Sequence, residues 1–81
     1  MMSVAATLDW MEESAKTNGV VFTPFGEKAL RCERTGAGLK VRWIRSYPAK
    51  GDMPGSQWEV TRSEAAQFLR VELAANRLVL A

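Results

Sequence analysis

Apolar residues recur at Val4, Leu8, Met11 and Ala15, and at 100° per residue these lie within about 60° of one another on a single helical face. The spacing predicts an amphipathic helix over 4–17. Asp9, Glu12, Glu13 and Lys16 gather on its opposite side, the acids toward the end that the helix dipole favours. Asn18-Gly19 then supplies a residue able to turn left-handed and end it. Trp10 falls at the flank of the apolar stripe, beside three carboxylates.

The period then changes from helical to two. Val20 to Thr23 reads as a strand stopped by Pro24. The run 28–35 alternates Leu30 and Cys32 against Arg31 and Glu33, and the run 39–47 alternates Leu39, Val41 and Trp43 against Lys40, Arg42 and Ile44. Between them Thr35-Gly36-Ala37-Gly38 suits a reversal that needs positive φ, so the two runs form an antiparallel hairpin. Parity sends Leu30, Cys32, Val41 and Trp43 to the core and Arg31, Lys40 and Arg42 to solvent. Ile44 shares the outer parity, which favours a covered outer face over a bare one.

Residues 46–57 have no period and hold two prolines and two glycines, the longest irregular segment of the chain. Trp58 to Val60 follows as a short strand with Trp58 turned inward like Trp43. Thr61-Arg62-Ser63-Glu64 is a capping box, and the helix it opens runs over 62–75 with Ala65, Phe68, Leu69 and Leu73 as its buried stripe. Glu72 projects between Phe68 and Leu69 and escapes at the helix edge or pairs with an arginine. Asn76 is a left-handed terminator, and 77–81 closes as a last strand at a sheet edge, where a second copy can pair to give a homodimer. These elements make an α+β fold: an antiparallel sheet of four or five strands packed on one face by two helices.

Composition adds bounds to this picture. Eighty-one residues suffice for a single domain, 1–81, with a stability on the order of 5 kcal/mol. With 47% apolar and 25% charged residues the chain can bury enough surface to order itself. Cys32 is the only cysteine and there is no histidine, which excludes an internal disulfide and removes the usual zinc ligands. No export signal and no run of eighteen apolar residues is present, so the expectation is a cytoplasmic protein without membrane contact. Neither a phosphate loop, a dinucleotide fingerprint nor a catalytic triad can be assembled, so no enzymatic activity and no cofactor are expected.

Charge is unevenly spread. Residues 28–50 carry Lys28, Arg31, Arg34, Lys40, Arg42, Arg45 and Lys50 against Glu33, seven to one, in a chain whose total is +2. The rest is net acidic. Two places set exposed charge beside an aromatic: Trp10 with Asp9, Glu12 and Glu13, and Tyr47 with Arg45 and Lys50 in the long loop. Together with Arg31, Lys40 and Arg42 on the hairpin these are the candidate partner-binding residues.

The order helix, three strands, helix resembles the double-stranded-RNA-binding domain in topology. Thr61-Arg62-Ser63-Glu64 stands where that family has a lysine cluster, however, and the RNA-recognition motif needs open-face aromatics where Trp43 and Trp58 read as inward. As a class, this small bipolar chain with contact residues in a loop resembles the phage-encoded inhibitors of bacterial defence, the anti-CRISPR proteins above all. That resemblance implies a non-enzymatic inhibitor in the host bacterial cytoplasm, one that occupies a surface of a CRISPR surveillance complex or nuclease and blocks target DNA. Asp9, Glu12 and Glu13 would then imitate phosphate, or Arg31, Lys40 and Arg42 would grip an acidic subunit. The alternative reading is a small nucleic-acid-binding regulator using the basic hairpin.

Overall fold

The computed structural model describes residues 3–36, 39–75 and 78. Its elements follow in the order α1 (Val4–Asn18), β1 (Val20–Phe25), β2 (Lys28–Arg34), β3 (Val41–Tyr47), β4 (Ser56–Val60) and α2 (Arg62–Ala74). The four strands form one antiparallel sheet in sequence order, with β1 and β4 at its edges. Both helices lie on one face, α1 across β1 and β2 and α2 beside it over β3. The molecule is therefore two layers thick, and its shortest extent is 19 Å.

Each helix begins where a side chain satisfies its free amides. The Ser3 hydroxyl accepts from the Ala6 amide at 3.0 Å, and Thr61 and Glu64 form the reciprocal capping box at 3.1 Å in each direction. Gly19 ends α1 at φ +86°, a conformation that side chains resist, and its amide closes on the Ala15 carbonyl. The strand β1 begins one residue later.

The core lies between sheet and helices. Leu8, Met11 and Ala15 from α1 meet Phe25, Leu30, Cys32, Trp43 and Val60 from the sheet and Ala65, Ala66, Phe68 and Leu69 from α2, with Val4, Val21, Val41 and Leu78 packed at its margin. Register explains the selection. Val21, Cys32, Trp43 and Val60 stand opposite one another across the sheet on the helix side. Burial pushes the Cys32 thiol up to about 11, with the Glu33 carboxylate adding to the effect and Lys16 opposing it. Cys32 is thus expected to resist alkylation by iodoacetamide at pH 8 while folded and to react at once in denaturant; rapid labelling of the native protein would contradict its burial.

Several boundaries differ from the pattern-based expectation. β1 continues through Pro24 to Phe25, because an edge strand has a free side on which the missing proline amide costs no ladder bond, and because Phe25 gains burial by staying in register. β3 starts at Val41 rather than Leu39, which is exposed in the turn. β4 starts two residues earlier, at Ser56. Glu72 is buried rather than escaping at the helix edge, and it pairs with Lys28 at 3.2 Å. The expected strand over 77–81, the terminator Asn76 and the homodimer edge lie outside the described residues except for Leu78.

Candidate functional site

The acidic face of α1 is occupied from within. Arg62, the first residue of α2, reaches back so that its guanidinium contacts Asp9 at 2.7 Å and also binds Glu12, while Glu13 pairs with Lys16 one turn along at 3.3 Å. These pairs fasten α2 to α1 and leave Trp10, 53% exposed, without a free carboxylate cluster around it. Asp9, Trp10, Glu12 and Glu13 are therefore adjacent, but their charge is answered by the chain itself.

The basic hairpin is answered in the same way. Arg42 stands opposite Glu33 across the β2–β3 ladder and binds its carboxylate, while Arg31, two residues from Glu33 on β2, brings Nε within 3.2 Å of the other oxygen. The Arg31 contact is one of charge rather than a directed hydrogen bond, since its buried Nε has no acceptor in line. Lys40 is exposed beyond the end of β3 and takes part in no ion pair among the described residues. Ile44 is only 6% exposed on this outer face, with Arg31 and Glu59 its cross-strand neighbours, so long side chains cover it rather than a helix. Phe22, in the same row on β1, remains 56% exposed.

A different convergence appears at the far end of the helix-side face. Parity along β3 puts Arg45 and Tyr47 on the same side as Trp43, and register sets Trp58 of β4 directly opposite Arg45. The Tyr47 and Trp58 rings stack with centroids 5.7 Å apart and planes 22° from parallel. The Arg45 guanidinium carbon lies 5.4 Å from the Trp58 ring centre, 5.9 Å from that of Tyr47 and 4.2 Å from that of Phe68 on α2, within cation–π range of all three. One Arg45 nitrogen donates to the Tyr47 hydroxyl at 3.3 Å. Phe68 in turn packs on Phe25 at 5.5 Å, which roots the cluster in the core.

Trp58 is 40% exposed, a correction to its expected inward place. Its face is as parity requires, but α2 covers only the part of the sheet around Phe68, and beyond that edge Trp58 and Tyr47 shield each other. Tyr47 is 37% exposed. The period-two run Trp43, Arg45, Tyr47 was the available sign of this grouping; Phe68 and Trp58 enter only through tertiary packing.

The loop 48–55 adjoins Tyr47. Lys50 and Met53 exchange backbone hydrogen bonds of 2.9 and 3.0 Å around Gly51 at φ +59°, closing the tip into a tight turn. A Cβ on Gly55 would stand 3.0 Å from the Ala49 nitrogen and the Tyr47 carbonyl oxygen, so glycine lets the two arms of the loop touch. Lys50 also binds Glu27 of the β1–β2 turn at 2.9 Å, and that ammonium holds the Glu27 carboxyl below the usual carboxylate range. A concavity of ≈ 350 Å³ lies between them, lined by Glu27, Tyr47, Lys50, Met53 and Pro54 among others.

Of the sequence-predicted site residues, the structure joins Arg45 with Tyr47 and seats Lys50 nearby, but commits Lys50 to Glu27. Among the described residues no group of three or more acidic, histidine or cysteine side chains is placed to hold a metal, and no helix is long and apolar enough to cross a membrane. No family model, no curated protein and no solved structure matches the chain.

Proposed function

We propose that this chain is a non-enzymatic protein-binding inhibitor whose contact surface is the Arg45–Tyr47–Trp58 cluster with the adjoining loop, and that a CRISPR surveillance complex is its target. The observation that carries the reading is the stacked pair Tyr47 and Trp58, half exposed and held in place by Arg45 and Phe68. Ordering an exposed side chain on binding costs rotamer freedom, and an aromatic ring with two χ angles loses less of it than a long flexible chain. Here the stack and the cation have already fixed them, so little rotamer freedom remains to be lost, and tyrosine, tryptophan and arginine are the residue types that dominate interface energetics.

The nucleic-acid alternative draws on the basic hairpin. Two of its three outer cations, Arg31 and Arg42, share Glu33, and Lys28 and Lys50 are paired as well. A phosphate backbone would have to compete with carboxylates already in contact, which weakens the release of counterions that drives such binding.

Bacteria carrying a functional CRISPR system and expressing the protein should lose interference against a targeted phage, and the purified chain should bind the isolated surveillance complex. Tyr47→Ala and Trp58→Ala should each weaken that binding about thirtyfold, a loss of about 2 kcal/mol. Wild-type protein that restores no phage growth against any of the type I and type II systems tried would remove the target from the proposal. Salt-sensitive, micromolar binding to generic duplex DNA or RNA at about 50 mM salt would instead promote the regulator.

A further inference from the structure

The cations of the described residues fall into two groups. Lys16, Lys28, Arg31, Arg42, Lys50 and Arg62 each contact a carboxylate of the chain itself. Arg34, Lys40, Arg45 and Arg70 have no carboxylate within ion-pairing distance among the described residues, and of these Arg45 has as its one side-chain hydrogen bond the contact to the Tyr47 hydroxyl. Yet it is the cation most closely surrounded by rings, with Phe68 at 4.2 Å, Trp58 at 5.4 Å and Tyr47 at 5.9 Å.

A guanidinium has five N–H donors in one plane, and a carboxylate matches two of them at once. Ring faces attract the cation's charge, and among the described residues the one acceptor hydrogen-bonded to its N–H groups is the Tyr47 hydroxyl. Arg45 therefore presents a held, part-desolvated fork with most of its donors unspent, beside two exposed aromatic rings. We propose that Arg45 recognises a carboxylate side chain of a protein partner, with Tyr47 and Trp58 receiving the apolar residues that flank that acid.

The charge of the surroundings selects this ligand over a nucleic-acid strand. A phosphate backbone rewards several unpaired cations in a row, whereas Lys28 is paired with the buried Glu72 and Lys50 with Glu27. What remains is one cation in an apolar setting that includes Met53, and this suits a single acid within a hydrophobic segment. The inference rests on the interaction surface proposed above and names the chemistry of what that surface binds.

The probes are a capped peptide, acetyl-Gly-Leu-Glu-Leu-Gly-amide, its counterpart with glutamine in place of glutamate, and a ten-residue oligothymidylate. Each is titrated into the full chain while the Trp58 indole N–H resonance is followed by NMR. The glutamate peptide should shift that resonance saturably, and the glutamine peptide should bind at least about tenfold more weakly, the discrimination expected for a lost charge-assisted pair. Arg45→Lys should retain no more than about a tenth of the affinity, because a point charge lacks the fork. Arg45→Met keeps an apolar stem over Phe68 and should abolish the preference for glutamate while the protein stays folded.

Equal binding of the two peptides to the wild type would overturn the proposal without recourse to any variant, and so would tighter binding of the oligothymidylate. The two readings fail separately. If Trp58→Ala loses interference inhibition while Arg45→Met retains it, the surface stands and carboxylate recognition falls. If the wild type inhibits nothing yet distinguishes glutamate from glutamine, carboxylate recognition stands and the inhibitor reading falls.

Discussion

Replacing Leu69 by alanine is expected to lower the free energy of unfolding by about 3 kcal/mol, through lost transfer energy and the cavity left behind. That is more than half of the roughly 5 kcal/mol available to a domain of this size. Leu69 is fully buried at the centre of the α2 stripe and belongs to the cluster that joins α1, α2 and the sheet. The position is critical because Leu69 and Phe68 are the large apolar side chains that α2 buries against the sheet and α1. Its surface tie, Arg62 to Asp9 and Glu12, is solvent-exposed and worth at most about 1 kcal/mol. Denaturant unfolding monitored by circular dichroism should show the midpoint fall with the slope unchanged. Val71→Ala, on the exposed side of the same helix, should stay within about 0.5 kcal/mol of wild type. A Leu69 variant as stable as the Val71 variant would mean that α2 is not held by this stripe.

The helices were legible because their periodicity and caps are local. Val4, Leu8, Met11 and Ala15 share a face at any tertiary arrangement, and Thr61 and Glu64 satisfy one another within four residues. The sheet faces were legible too, since period two assigned Leu30, Cys32 and Trp43 to the core. Charge was misleading for a physical reason. A count of seven cations against one acid treats each charge as free, whereas Glu33 serves two arginines and Glu72 and Glu27 reach Lys28 and Lys50 from other elements. Asp9 and Arg62 are 53 residues apart, and only the docking of α2 on α1 brings them together. Likewise parity placed Trp58 on the helix side, but how far α2 extends over that side depends on packing, which no local pattern encodes.

The two sheet tryptophans are expected to respond in opposite ways to truncation. Trp43 is 4% exposed and stands in register between Cys32 and Val60 beneath the helices. Trp43→Ala should therefore cost about 4 kcal/mol, leaving a chain scarcely folded at room temperature. Trp58→Ala removes a stacked ring pair and a cation–π contact at a partly exposed edge, together worth about 1.5 kcal/mol, and opens no closed cavity because solvent already reaches the site. The variant should fold, with a melting temperature lowered by several degrees, as about 1 kcal/mol shifts a domain of this length by roughly 4–8 °C. Its loss should appear in binding instead, because without Trp58 the Tyr47 ring and the Arg45 guanidinium regain freedom that association must then remove. Thermal melts of both variants, together with affinity for the captured target measured on the folded Trp58 variant, provide the comparison. Equal destabilisation by the two substitutions would place Trp58 in the core after all, and a folded Trp58→Ala chain with undiminished affinity would move the contact surface to the Phe22 side of the sheet.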